Sequence, residues 1–179
     1  KQGTTVRVWP DAKYFESAQL PMAELVHLLR SKAVLMPGVS VTLVNDKTKD
    51  TTTWQYKAGL RDYLQQTLNG EPVIPLFEGE GAADSGHDSF AEGEGAAWCV
   101  AFTEDGTPVR ESYVNLIPTT SGGTHESGLR DGLFQAVKGF IELHALAPKG
   151  VKLLPEDVFA RASYVLSAKV LDPQFQGQI

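Results

Sequence analysis

The sequence predicts an α+β domain in which one mostly antiparallel sheet carries helices packed on one face. Two observations lead to this prediction. Segments with the alternating apolar pattern of a β-strand come largely in pairs joined by short polar turns. Segments with apolar residues three or four positions apart, as in a helix, lie between those pairs. The resulting order is β, α, ββ, α, loop, ββ, α, β, which is typical of an α+β sandwich.

The first half of the chain contains three strands and two helices by these criteria. Strand residues are β-branched and alternating, Pro21 suits a first helical turn, and the pair Asn69-Gly70 is a helix stop signal. The predicted elements are a strand over residues 3–9, a helix over 22–33, a hairpin of 39–44 and 51–57, and a helix over 60–68.

The second half adds the most apolar strand and the longest helix. Residues 96–102 are nearly all apolar, which suits a strand buried on both faces. Residues 104–107 form a predicted hairpin turn, with a return strand over 108–118. The following helix has an apolar stripe of Leu129, Leu133, Ala136, Val137, Phe140 and Ile141. A helical turn over 155–160 and an alternating strand over 161–170 complete the prediction.

The negative charge of the chain is concentrated in one segment. The 179 residues carry a formal net charge of −6, and residues 75–95 hold six acidic residues and no Lys or Arg, so the remainder is neutral. This segment is rich in glycine and repeats EGEGAA at residues 78–83 and 92–97. We therefore expect an acidic flexible loop at 76–95. The pI near 5.2 argues against tight DNA binding by this chain alone.

Composition excludes several classes of protein. With 42% hydrophobic and 21% charged residues the chain is not disordered, and its length suits one domain. One cysteine excludes a disulfide framework and fits a reducing cytoplasm. No apolar run reaches the length of a membrane span. Only Asp88, beside His87, accompanies a histidine at short spacing, so no metal site is predicted.

Three other candidate sites have ordinary structural alternatives. Ser121, His125 and Asp131 lie close in sequence and suggest a small hydrolase, but no nucleophile-elbow motif surrounds the serine. Ser121 and Thr124 would more simply cap the following helix. Cys99 lies in an apolar strand, where a buried inert thiol is expected. Arg130 follows a glycine-rich turn and faces either a partner or the neighbouring Glu126 on the same helix.

Four segments resemble the B subunits of bacterial type IIA topoisomerases. They are GTTVRVWPD at 3–11, KAVLMPGVSV at 32–41, ESYVNLIPTTSGGTHESGLRDGL at 111–133 and PKGVKLLPEDVFARASYVLSAKVLDPQFQGQ at 148–178. They follow the family's order and spacing, so the resemblance covers nearly the whole chain. Within the family, YVNLIPT and GVKL-x-x-ED are more similar to topoisomerase IV than to gyrase, which stays the alternative.

The resemblance implies a fold and a domain arrangement. Residues 1–10 would be the closing strand of a GHKL-type ATPase domain. Residues 11–179 would be a transducer domain with the ribosomal protein S5 domain 2-like fold. The resemblance places ATP and Mg in the parent enzyme and none bound to this part, which lacks the ATPase core and is expected to be inactive alone. No catalytic or metal-binding residue is therefore expected in the chain.

The resemblance also implies three site residues and a set of partners. Thr4 matches a threonine near the adenine pocket. Gln178 matches the first residue of the Gln-Thr-Lys loop that reaches the ATP γ-phosphate, although Ile179 replaces the threonine. Arg130 matches a basic residue facing the DNA cavity. Expected partners are the topoisomerase IV A subunit (ParC) in a heterotetramer, a second copy of the B subunit and double-stranded DNA, in a cytoplasmic, nucleoid-associated enzyme with no membrane contact.

A second hypothesis keeps the S5-like fold but makes the chain a non-enzymatic nucleic-acid-binding module. It requires tight DNA or RNA binding by this chain alone. The neutral body and the acidic segment argue against it.

Overall fold

A computed structural model of the chain describes residues 2–176. Within them lie four helices and seven strands. In chain order these are α1 (Met22–Leu35), β1 (Val41–Val44), β2 (Thr51–Trp54), α2 (Leu60–Thr67), β3 (Phe77–Ala82), β4 (Gly95–Phe102), β5 (Arg110–Val114), β6 (Ile117–Pro118), α3 (Thr124–Leu143), α4 (Pro155–Phe159) and β7 (Ala162–Lys169). The predicted helices, the first hairpin and the last strand are confirmed, with strands β1 and β2 shorter than predicted.

The strands form one five-stranded sheet and a separate two-stranded hairpin. The sheet order is β3-β4-β7-β5-β6, and β1 pairs with β2. Every pairing is antiparallel except that of β5 with β7, which is parallel. The predicted α+β class with a mostly antiparallel sheet is therefore confirmed.

The predicted hairpin between β4 and its return strand is wrong. A turn does follow β4, with Gly106 at φ +86°, but β7 lies between β4 and β5. Val165 of β7 pairs with Cys99 on one side and with Glu111 on the other. Parallel strands need a long crossover, and the chain from β6 through α3 and α4 supplies it. No local sequence signal marks a partner that lies more than fifty residues away.

Helices cover both faces of the sheet, so the prediction of helices on one face is wrong. On one face Cys99, Ala101 and Val165 pack against α1 and α2. On the other face Val100 and Tyr164 pack against α3. Successive residues of β4 and β7 point to opposite faces, and both strands are apolar at consecutive positions. Two layers of helices are needed to keep these strands from water.

The acidic segment is only partly a loop, which corrects the prediction for residues 76–95. Its first part is the edge strand β3, and the two EGEGAA copies pair with each other, Glu80 opposite Ala97. A Cβ on Gly79 would come within 2.4 Å of the Trp98 ring. This glycine permits close packing rather than chain flexibility. Charged side chains along an exposed edge also discourage pairing with other chains.

Residues 2–10 form no strand with any residue that the structure describes, contrary to the prediction of a strand over 3–9. A strand is defined by its partner's hydrogen bonds, and this segment has none within residues 2–176. Its apolar side chains, Val6, Val8 and Trp9, are exposed. Arg7 forms an ion pair with Asp46 at 3.2 Å.

Candidate functional site

The end of β7 is the structural centre of the candidate site. β7 is the middle strand of the sheet, and its residues Ala162 to Leu166 are all buried. Beyond Lys169 the chain leaves the sheet through residues 170–176, which we name the exit segment. Gln178, the expected nucleotide contact, follows this segment but lies outside the described residues.

Two side chains from the neighbouring strands hold the start of the exit segment. Asn115 accepts a hydrogen bond from the Val170 amide at 2.9 Å and donates one to the Val170 carbonyl at 2.8 Å. Glu94 accepts a hydrogen bond from the Leu171 amide at 2.7 Å. We name this pair, Glu94 and Asn115, the exit clamp. Each residue lies beside a strand that flanks β7, so the exit segment is held from both sides.

Asn115 owes its position to a tight turn. It joins β5 to β6 together with Leu116, and both residues have positive φ, +49° and +68°. Two consecutive residues with positive φ make the hairpin turn that suits the twist of antiparallel strands, and asparagine tolerates this conformation well. The Leu116 carbonyl also accepts a hydrogen bond from the Lys32 ammonium of α1.

Glu94 owes its position to the hairpin between β3 and β4. Its carbonyl accepts a hydrogen bond from the Ala83 amide at 2.7 Å, which extends the strand pairing by one step. The second oxygen of its carboxylate accepts a hydrogen bond from the Ala91 amide at 2.9 Å. Hydrogen bonds from the Leu171 and Ala91 amides lower the pKa of Glu94. The carboxylate is therefore ionised, and fully able to accept both bonds, at neutral pH.

Sequence reasoning missed both residues of the exit clamp. Asn115 lay inside a stretch predicted as one continuous strand, although an asparagine between two strand-forming runs is a turn signal. Glu94 lay inside the predicted flexible loop, where no single acid was distinguished from the others. Its contact joins residues 77 positions apart, which no local pattern reveals.

Arg130 lies on α3 beside α4. Its guanidinium is 3.3 Å from a Glu156 carboxylate oxygen and stacks on the Phe159 ring at 4.9 Å. The side chain is 39% exposed. The alternative pairing with Glu126 is not formed, because Glu126 instead accepts a hydrogen bond from the Tyr164 hydroxyl. Arg130 therefore presents a partly exposed positive charge, held in place by its aromatic neighbour.

The hydrolase hypothesis fails on geometry. In the described structure no hydrogen bond joins Ser121 to His125, and the Nε2 atom of His125 bonds the Thr119 hydroxyl at 2.9 Å. Burial lowers the pKa of His125. The capping prediction for Ser121 and Thr124 is also wrong, since Gly123 is the N-cap of α3 and no side chain among residues 2–176 caps it.

Glu111 organises a second polar cluster that the sequence did not reveal. Its carboxylate accepts hydrogen bonds from the hydroxyls of Tyr63 at 2.7 Å and Tyr113 at 2.9 Å. Burial, and then the charge and hydrogen bonds of Glu111, raise the pKa of both tyrosines, which stay neutral donors. Arg30 of α1 lies over the Tyr63 ring at 5.2 Å. The cluster thereby ties α1 and α2 to β5.

The structure also bears on Cys99, on Thr4 and on the expectations about metal ligands and membrane spans. Cys99 is buried, and burial together with the charge of Glu78 raises the pKa of its thiol to about 11. Thr4 is exposed, in the unpaired segment near the start of the chain. Residues 2–176 contain no group of three or more potential metal ligands. None of the helices in this range is both long and apolar enough to cross a bilayer.

The fold and the sequence together define the class of protein. A family model described as DNA gyrase B matches residues 59–179, and the chain belongs to that family. Its relatives include the DNA topoisomerase 4 B subunit of Pseudomonas aeruginosa, 45% identical over 179 residues, and the protein of the same name from Escherichia coli, 44% identical. Each match covers 98% of this chain and 27% of the relative, so the chain spans about a quarter of their length.

Two solved structures share the fold. The topoisomerase IV ATP-binding domain of Francisella tularensis, determined with a small-molecule inhibitor, superposes with a TM-score of 0.73 at 35% identity. That match covers 96% of this chain and 44% of the other. The 43K ATPase domain of Thermus thermophilus gyrase B superposes with a TM-score of 0.75 at 19% identity, over 94% of this chain and 44% of the other.

Proposed function

We propose that the chain is the transducer domain of a topoisomerase IV B subunit, which relays ATP binding and hydrolysis to DNA strand passage. The relatives that are B subunits of DNA topoisomerase 4 support this choice over gyrase, since they reach 45% identity across the chain. In this proposal residues 1–10 close a preceding GHKL-type ATPase domain. Residues 11–179 form the transducer, with an S5 domain 2-like fold.

The observation that carries the proposal is the position of β7. This strand is the middle of the sheet, touches both helical layers and leads directly into the exit segment, which precedes Gln178 in the sequence. A shift of that segment therefore acts on a strand that cannot move without its neighbours, because packed cores rearrange between discrete states. A nucleotide contact at Gln178 would thus bias the arrangement of the elements that pack on β7.

The nucleotide contacts are assigned by proposal to Gln178 and Thr4. Gln178 would contact the γ-phosphate of ATP, and Thr4 would lie near the adenine. Thr4 is exposed and thus free to meet a neighbouring domain. ATP and Mg would be held elsewhere in the parent enzyme, which would supply the hydrolysis that the transducer senses. This chain alone would be inactive.

Arg130 is the proposed DNA contact. Its ion pair with Glu156 is solvent-exposed, with the Glu156 side chain 79% accessible, so the pair holds the guanidinium only weakly. A charge presented in this way attracts phosphates without reading base sequence. The partners in the proposal are duplex DNA, a second copy of the B subunit and the A subunit ParC in a heterotetramer. The enzyme would act in the bacterial cytoplasm at the nucleoid.

One experiment tests the relay. The full-length B subunit is combined with its A subunit, and decatenation events per ATP hydrolysed are measured. Gln178→Ala should lower this ratio about tenfold, while Gln176→Ala, the same substitution at an exposed residue of the exit segment, should change it less than about twofold. An unchanged ratio in Gln178→Ala contradicts the relay.

ATPase rates of the same enzyme, measured with and without DNA, separate two roles of Arg130. Arg130→Gln should lower DNA-stimulated ATPase about threefold and leave basal ATPase unchanged, because a phosphate contact is lost. Glu156→Gln removes the ion pair and keeps the arginine, so it should leave DNA stimulation intact. If Glu156→Gln reproduces the Arg130→Gln defect, Arg130 acts through α4 and not on DNA.

A further inference from the structure

We propose that Glu94 and Asn115 are positioning residues that set the direction in which the chain leaves β7 and enters the exit segment, which precedes Gln178 in the sequence. The significance of this role for nucleotide sensing rests on the proposed function. The physical basis is that the first two residues of the exit segment, Val170 at 36% and Leu171 at 77% exposure, belong to none of the buried hydrophobic clusters of the described residues. Their placement depends on three hydrogen bonds from the exit clamp.

The Asn115 half of the clamp continues the sheet past its last paired residue. The backbone N–H of Asn115 donates a hydrogen bond to the Ala168 carbonyl at 2.9 Å, at the end of the β5–β7 ladder. Its side chain then occupies both polar groups of Val170. One asparagine thereby replaces the strand partner that β5 no longer provides. Because the turn fixes its backbone at positive φ, the side chain is held in place.

The Glu94 half holds the next residue from the opposite side. The carboxylate bridges the Leu171 amide and the Ala91 amide. The backbone of Glu94 is itself fixed to Ala83 across the hairpin. The connection between β3 and β4 is thus tied to the exit segment, although the two are distant in sequence. Charge-assisted hydrogen bonds of this kind are stronger than those between neutral groups.

The charged residues around Glu94 in sequence offer a matched comparison. Glu92 lies two positions earlier in the same connection, is exposed, and makes no hydrogen bond or ion pair within the described residues. A variant at Glu92 changes the net charge as a variant at Glu94 does. A difference between the Glu94 variant and the Glu92 variant therefore reports the hydrogen bonds of the exit clamp and not the charge of the segment.

The first test uses amide hydrogen exchange of this chain, followed residue by residue by NMR. Glu94→Ala should accelerate exchange of the Leu171 amide about fivefold, which is the change in an equilibrium constant that the net free energy of one hydrogen bond produces. Glu92→Ala should not accelerate it. Glu94→Gln keeps an acceptor oxygen and should restore part of the protection. Equal exchange at Leu171 in Glu94→Ala and Glu92→Ala overturns the clamp.

The second test uses the full-length B subunit with its A subunit, in the decatenation-per-ATP assay, with Gln178→Ala run in parallel. Glu94→Ala should lower the ratio about threefold and Glu94→Gln should recover most of it. If Gln178→Ala lowers the ratio and Glu94→Ala does not, the positioning role is overturned while the proposed function stands. If neither changes the ratio, the proposed function fails, and the positioning role fails with it.

Discussion

The two faces of the central sheet are packed very differently. On the α1/α2 face, ten described residues form one buried cluster that draws on both helices and on β4, β5 and β7. On the α3 face the buried residues divide into two clusters of three, and α3 contributes no fully buried side chain in the described structure. Phe140 and Leu143, near the end of α3, are 58% and 80% exposed.

This difference in packing suggests that the α1/α2 layer stabilises the fold and that the α3 layer is the more mobile one. The α1/α2 layer packs on one larger, continuous cluster of buried residues, so truncating a side chain there should cost more stability than truncating one on α3. The polar cluster at Glu111 adds direct hydrogen bonds on the same face. The α3 layer rests on fewer buried contacts, which is the property of an element that shifts at low cost. In the proposed relay, α3 is therefore the layer that moves.

The largest expected difference comes from truncating one leucine on each face. Leu64 of α2 is completely buried, whereas Leu133 of α3 is only partly buried. Leu64→Ala should lower the free energy of unfolding by about 3 kcal/mol, from lost burial plus a cavity. Leu133→Ala should lower it by about 1 kcal/mol, because it loses less burial. Urea denaturation with unchanged m-values measures both, and equal losses would refute the unequal packing.

A smaller difference is expected between two glycines of β3. A Cβ at Gly79 would clash with the Trp98 ring on β4, whereas no described heavy atom lies within 4 Å of a Cβ at Gly81. Gly79→Ala should lower the free energy of unfolding by about 1–2 kcal/mol through overpacking. Gly81→Ala should be neutral or raise it by about 0.5 kcal/mol, because alanine suits a strand better than glycine. Thermal unfolding compares the two, and similar losses would restore the flexible-loop interpretation of this segment.

Local patterns predicted the helices and several of the strands, but not which strands are neighbours in the sheet. The 3/4 spacing predicted α1, α2 and α3, and alternation predicted β7. Even so, within α3 the prediction placed Phe140 in the apolar stripe, where it is exposed, and omitted Phe134, which packs against α4. The apolar run of β4 indicated burial on both faces, which already required helices on both sides of the sheet.

Long-range pairing explains most of what the sequence could not show. β7 separates β4 from β5 because of contacts between residues far apart in the chain. Glu94 and Asn115 became meaningful only once both were found beside the exit segment. For the same reason the acidic composition of residues 76–95 concealed an edge strand, since glycine and glutamate disfavour strands in isolation.

The most direct test of the relay is hydrogen exchange in the full-length B subunit, measured by mass spectrometry with and without a non-hydrolysable ATP analogue. We predict that binding of the nucleotide analogue changes the rate of amide hydrogen exchange about threefold or more in the exit segment and in α3. The exchange rates in α2 should stay unchanged, because α3 is the loosely packed layer. A nucleotide response confined to the residues before Pro10, with the exit segment and α3 unaltered, would contradict the relay through β7.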